Sequence, residues 1–189
     1  IQDYFNLLSH FSTRRFFNLL KLKCSYWFSK RFKRKSHRGF PYALSIEPTT
    51  ACNLGCPECP SGLKQFTRER GRLDVALNEK LLDEVKNTVF YINYYFQGEP
   101  FLHPNFLELV QAAKRRKIYT STSTNAHFIS KDRATQIVNS GLDRLIISID
   151  GLTQETYESY RVDGQLKKVL EGTRYLLEAK QRMKSKTPF

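Results

Sequence analysis

The sequence is poor in the features that mark several protein classes. It has one methionine, one tryptophan, four histidines and four cysteines in 189 residues. No stretch approaches the roughly 18 uninterrupted apolar residues of a membrane-spanning helix. The apolar residues at the front are broken every few positions by charge and no small-residue cleavage site follows them, so the front does not read as a secretory signal. Three cysteines crowd together and the fourth, Cys24, stands far off, which argues against a disulfide framework. Adjacent thiols in a chain of this size point instead to metal in a reducing compartment, hence to the cytoplasm. There is no internal repeat and no low-complexity tract, and a hydrophobic share of 40% is that of an ordinary globular domain.

Acidic residues are almost absent from the first 40 positions, where ten Lys or Arg face the single Asp3 and supply +9 of the net charge of +13. Such an arm suits nucleic acid, an anionic membrane surface or an acidic partner, and charge alone does not choose among them. Phe5, Leu7, Leu8, Phe11, Phe16, Phe17, Leu19, Leu20, Trp27 and Phe28 interleave with Arg14, Arg15, Lys21, Lys23 and Lys30, a pattern of one or two amphipathic helices. A helix of this kind usually caps a core, with membrane-surface contact as the other use and nucleic-acid binding the less favoured one. Cys24 is expected to be buried within the arm. The basic cluster from Lys30 to Arg38, closed by Gly39 and Pro41, reads as a linker, which divides the chain into an arm over 1–40 and a core domain over 41–189. The chain opens on Ile1, and Thr187-Pro188-Phe189 follows a helical pattern directly. Both ends are expected to be cuts in a longer protein, the second leading toward a further strand.

From Tyr42 onward strand and helix patterns alternate. Residues 42–47 form a strand candidate, and Asn78 is expected to cap a helix that buries Leu81, Leu82 and Val85. Val89 to Phe96 is a β-branched and aromatic run, after which Pro104 and Asn105 open a helix with Phe106, Leu109, Val110 and Ala113 at helical spacing. Ile118 to Thr124 is the third strand. Ser130 caps the next helix, which buries Ala134, Ile137 and Val138 and stops at Gly141. Arg144 to Ile149 is the fourth strand, and Leu166, Val169, Leu170, Thr173, Leu176 and Leu177 stripe a last long helix. Four β-then-α units in series predict an α/β fold with a parallel sheet, open or curling into a barrel.

Directly after the first strand stands Cys52-Asn53-Leu54-Gly55-Cys56-Pro57-Glu58-Cys59-Pro60, a C-x-x-x-C-x-x-C spacing. Thiolates are the usual ligands of iron-sulfur clusters, and a short loop with Gly55 and two prolines can turn three sulfurs toward one centre. A cubane has four irons, so three thiolates leave one iron open to a substrate or cofactor. Structural zinc is the alternative, with His103, His37 or Cys24 as the fourth ligand, although no second pair of the usual zinc spacing exists. The histidines are otherwise scattered, and Lys64, Arg68, Arg70 and Arg72 read as a solvated connection.

This loop resembles the signature of the radical S-adenosylmethionine superfamily, and the resemblance runs over residues 42–181. It implies a 4Fe-4S cluster on Cys52, Cys56 and Cys59. The open iron of that cluster would chelate S-adenosylmethionine and cleave it to a 5′-deoxyadenosyl radical that abstracts a substrate hydrogen. Electron-transfer ferredoxins differ in needing a fourth cysteine. Gln97-Gly98-Glu99-Pro100 is similar to the family's Gly-Gly-Glu-Pro turn, which implies that Gly98, Glu99 and Pro100 hold the cofactor's ammonium group. Thr124-Asn125-Ala126 looks like its Thr-Asn-Gly and implicates Asn125. Ser148-Ile149-Asp150-Gly151 followed by Tyr160-Arg161 resembles the peptide-modifying and sulfatase-maturing branch, and adds Ser148, Asp150 and Arg161. A guanidinium such as that of Arg161 can grip a carboxylate at two points. Each motif falls at the C-terminal end of an expected strand, the edge along which parallel α/β sheets build ligand sites.

The fold implied is a partial (β/α)6 barrel of which four units are present, with a peptide or protein as substrate and flavodoxin or ferredoxin as electron donor. Members with this pattern often carry a C-terminal SPASM domain for auxiliary clusters. If the resemblance fails, the chain is a non-catalytic metal module whose arm docks on RNA or an acidic partner.

Overall fold

The computed structural model describes residues 1–189. Two helices, α1 (Gln2–Ser9) and α2 (Thr13–Phe32), come first. Then follow β1 (Ala43–Ser45), α3 (Val75–Val85), β2 (Tyr91–Asn93), α4 (Phe106–Arg115), β3 (Tyr119–Thr124), α5 (Lys131–Ser140), β4 (Arg144–Ile147), α6 (Gln154–Glu158) and α7 (Leu166–Arg182). The four strands form one sheet in the order β1-β2-β3-β4. All pairs are parallel, with Leu44 opposite Ile92, Ile92 opposite Thr120 and Thr122 opposite Leu145. Parallel neighbours cannot be joined by a hairpin, so every crossover carries a helix. The result is four consecutive units of a partial (β/α) barrel. The last residue lies alongside β4 in the same parallel ladder, since Phe189 N–H donates to the Asp143 carbonyl at 2.8 Å and Leu145 N–H to that of Phe189 at 3.0 Å.

One apolar cluster of 23 buried residues holds the sheet to its helices, with Ile92, Leu82, Leu109, Val110, Ile137 and Val169 fully enclosed. Local signals set most of the helix ends. Ser130 Oγ accepts from Arg133 N–H, and Gly141 closes α5 in the left-handed conformation at φ 75°. Asn78 does not cap α3. Asp74 does so by accepting from Leu77 N–H, and Asn78 is buried one turn later, where it takes the Tyr94 hydroxyl at 2.9 Å. The stripe of α7 is narrower than its leucines suggest: Leu166, Val169, Gly172, Leu176 and Ala179 are buried while Leu170 and Leu177 face water. Helix α6, started by a capping box at Thr153 and Thr156, has no apolar stripe long enough to be visible in sequence.

The basic front is helical as expected, but α2 runs on through Phe32, into the stretch that reads as a linker. Its first turn is anchored by Arg15, a buried guanidinium that donates to the carbonyls of His10 (2.6 Å), Lys86 (2.8 Å), Arg116 (2.9 Å) and Lys117. Phe11 packs on Phe90 at 4.1 Å, His10 meets the edge of Tyr119, and Asn6 donates to Asp143 at 2.9 Å. Together these contacts close the N-terminal ends of β2 to β4. Cys24, contrary to expectation, is exposed on α2.

Between α3 and α4 an ion-pair network joins Glu79 and Asp83 to Arg115 and Arg116. Hydrogen bonds from Arg116, with Lys86 assisting, hold the Asp83 carboxyl down at about 2. A depressed carboxylate stabilises the fold above its ordinary range and loses that contribution as pH falls through its folded value. Asp83→Asn is therefore expected to lower the urea midpoint slightly at neutral pH, with the gap to the parent closing between about pH 4 and about pH 2. A gap that stays constant across that interval would contradict the assignment.

Candidate active site

The loop leaving β1 is stitched to the end of β2, to the segment after α6 and to itself. Glu99 N–H donates to the Ala51 carbonyl at 2.7 Å, Gly55 N–H to Val162 at 2.9 Å and Thr50 N–H to Gly71 at 3.1 Å. The buried Ser61 Oγ accepts from Gly98 N–H at 2.9 Å. Tight turns complete the loop, with Cys59 N–H on the Cys56 carbonyl and Leu63 N–H on that of Cys59. The loop thereby brings Cys52, Cys56 and Cys59 to the wall of one cavity of about 230 Å³, lined also by Gly98, Glu99, Ser123, Thr124, Asn125, Ser148, Tyr160 and Arg161.

Gly98 has φ 77°, a conformation that favours glycine, and so turns the chain at the end of β2. The carboxylate of Glu99, only 2% exposed, clamps two strand ends together. Its Oε1 accepts from Thr124 Oγ1 at 2.7 Å and Phe101 N–H at 3.1 Å, and its Oε2 from Asn125 N–H at 2.8 Å. Burial pushes the Glu99 carboxyl up, and these three donors and Arg161 oppose the shift. Pro100 is buried and opens a single 3-10 turn, Pro100–Leu102, behind the cavity wall. Asn125 spans the site, donating from Nδ2 to Asn53 Oδ1 at 2.8 Å. Ala126 adopts φ 60°, a left-handed conformation that favours glycine.

Ser148 lies just past the end of β4, its hydroxyl 3.3 Å from that of Ser123. Arg161 Nε donates to Asp150 at 2.5 Å, and Nη1 reaches to 3.8 Å from the Cys56 sulfur. Burial works against the charge of Arg161, but Asp150 and Cys56 offset it and raise the pKa. Asp150 does not line the cavity itself. Burial also pushes the Cys52 thiol up, and beyond a hydrogen bond from Leu54 that lowers it, the charges of Glu99, Cys56 and Cys59 raise it further. Three thiols and a carboxylate around one cavity, with Arg161 as the facing cation, form a donor set that a cationic centre would relieve.

The structure groups no site for a single zinc ion. Zinc thiolates at about 2.3 Å from the metal stand about 3.8 Å apart, and no three His, Cys, Asp or Glu side chains are grouped to share one ion. His103 is engaged elsewhere, with Nε2 on the Leu73 carbonyl at 2.7 Å and Nδ1 accepting from Asn105 N–H at 3.1 Å. Three thiols match the all-sulfur protein ligation of a four-iron cube.

Ser61 and Ser123 lay outside the quoted motifs, and Asn53 and Tyr160 stood within them without being singled out as site residues. Asn53 lies inside the cysteine loop and Ser123 two residues before Asn125, so position beside a motif was the available signal. Ser61 directly follows Pro60 of the same loop, but its partner Gly98 is remote in sequence.

The family model of the Radical SAM superfamily matches residues 46–187. The mycofactocin maturase MftC of Mycobacterium tuberculosis is 32% identical over 140 residues, 74% of this chain and 35% of that protein. A PqqA peptide cyclase of Gluconobacter oxydans is 27% identical over 114 residues, 60% of this chain and 32% of its own. This chain thus spans about a third of the length of these curated relatives. Among solved structures, Streptococcus suis SuiB bound to S-adenosylmethionine superposes with a TM-score of 0.59 at 24% identity, over 89% of this chain and 38% of that one. No helix is long and apolar enough to cross a membrane. The family match covers the cysteine loop and the ends of β2, β3 and β4 that build the cavity, and the chain is accordingly a member of the radical S-adenosylmethionine superfamily.

Proposed function

We propose that the cavity is the cofactor site of a radical S-adenosylmethionine enzyme whose cluster is held by Cys52, Cys56 and Cys59. The observation that carries this reading is convergence: three thiols and the motifs of β2, β3 and β4 meet at one cavity. When bound, the 4Fe-4S cluster supplies the electron that cleaves S-adenosylmethionine to methionine and the 5′-deoxyadenosyl radical, which takes hydrogen from the substrate. The turn Gly98-Glu99-Pro100 is assigned to the cofactor's ammonium group, with Gly98 and Glu99 at the cavity wall and Pro100 behind them. Arg161, already charged and turned to the cavity, pairs with a carboxylate there while Asp150 keeps its plane fixed. Ser148 and Asn125 supply hydroxyl and amide hydrogen bonds to the rest of the cofactor.

The substrate in this reading is a peptide or protein, supported by the names of two relatives, a maturase and a peptide cyclase. Its partners are a low-potential donor such as flavodoxin or ferredoxin, and a membrane surface met by the arm over 1–40. The enzyme works in the cytoplasm, where clustered thiols stay reduced. The whole protein, reconstituted without oxygen, is expected to bind about four irons, absorb near ~400 nm, and convert S-adenosylmethionine to methionine and 5′-deoxyadenosine under dithionite. Bound zinc with no cleavage would reject the proposal.

A further inference from the structure

Helix α2 is built inside out. Its buried residues are polar, Arg15, Asn18 and Ser25. Asn18 takes both backbone groups of Phe40 at 2.8 Å, and Ser25 and Ser29 hold the Ser36 carbonyl at 2.7 and 2.8 Å. Residues 36–40 therefore lie along this face and satisfy it. The opposite face carries Phe16, Phe17, Leu20, Trp27 and Phe28, each 42 to 62% exposed. At about 100° per residue these side chains fall within an arc of about 120°. An amphipathic helix normally turns such a stripe to a core, and here no part of the chain covers it.

We infer that α2 seats the protein on an anionic lipid bilayer, lying in the plane of the headgroups. The same helical projection places Lys23 and Lys30 along one edge of the stripe, Arg14 and Lys21 along the other, and Arg31 between. Lys33, Arg34, Lys35 and Arg38 follow, and no acid occurs between Asp3 and Glu47. Charge selects the occupant. A second copy of this chain would set cations against cations. A nucleic-acid groove would place its cations along the backbone track with aromatics spaced for single bases. Cations fringing an aromatic and leucine stripe, with only Arg31 among them inside it, are instead the layout of an in-plane interfacial helix, whose lysines reach out to lipid phosphates. Six cations among its 20 residues keep α2 on the surface, and it is no candidate to span the bilayer.

This inference deepens the membrane contact proposed above and does not depend on the cluster. Vesicles of phosphatidylcholine, alone or with about one third phosphatidylglycerol, test it with the whole protein in its metal-free form. Cosedimentation is expected to be about tenfold or more greater with the anionic vesicles and to fall as salt rises. Brominated acyl chains should quench Trp27, the one tryptophan of these 189 residues, as followed by its fluorescence. The double variant Leu20→Glu, Phe28→Glu should lose that binding while keeping its melting temperature and, once reconstituted, its cleavage of S-adenosylmethionine. Equal partition into neutral and anionic vesicles, parental binding by the double variant, or a dimer that the variant abolishes without any vesicle binding would each overturn the inference. Failure of cleavage in every form would reject the radical reading alone.

Discussion

Replacing Cys56 by alanine is expected to abolish cluster assembly, with iron and sulfide after anaerobic reconstitution falling from about four of each to background, while Cys24→Ala retains the full amount. The two residues are alike in chemistry and differ in place. Cys56 is buried at the cavity wall, its backbone carbonyl is tied to Cys59 N–H, and Arg161 faces its sulfur at 3.8 Å. Cys24 is exposed on α2, remote from the loop. With one of three thiolates gone, the remaining two cannot fix a cube at three corners. A zinc site with Cys24 as its fourth ligand would suffer from both substitutions, so the pair separates that metal reading from the cluster. Equal iron content in both variants would remove the assignment of Cys56.

The order of strands and helices was legible because a buried parallel strand and its covering helix leave different periods in the sequence. Leu109, Val110 and Ala113 in α4, and Ala134, Ile137 and Val138 in α5, are buried as their spacing predicts. Where burial was read from residue type alone, it failed. Leu170, Leu177 and Cys24 are exposed, and the polar Asn18 and Ser25 are inside, because the segment over 36–40 offers them hydrogen bonds. Asn78 misled as a cap because its side chain serves Tyr94, a partner 16 residues away. The site was legible where chemistry and spacing coincide, at the cysteines and at each strand-end motif. What sequence could not give was the wiring among them. The bonds from Glu99 to Thr124 and Asn125, from Gly98 to Ser61 and from Arg161 to Asp150 join strand ends, and no local pattern encodes them.

That wiring makes Gly98 the most sensitive backbone position of the site. A β-carbon on Gly98 would overlap the Thr49 carbonyl oxygen and stand 3.0 Å from that of Ala51, both of them backbone atoms. Neither can retreat freely, since Thr50 and Ala51 are held to Gly71 and Glu99 and lead directly into Cys52. The φ of 77° adds a left-handed cost of about 1–2 kcal/mol for any residue with a β-carbon. Gly98→Ala is thus expected to cost about 3 kcal/mol or more in unfolding free energy, a size associated with steric overlap and backbone strain acting together. Because the displaced segment carries the first ligand, iron loading should fall along with stability. Gly71 supplies the control. It lies on the same connection, has an ordinary φ and offers open space to a β-carbon, so Gly71→Ala should leave both measurements unchanged or raise stability slightly through the unfolded chain. If the two variants unfold at the same denaturant concentration and load the same iron, the close approach of the β1 loop to the β2 turn is not what shapes this cavity.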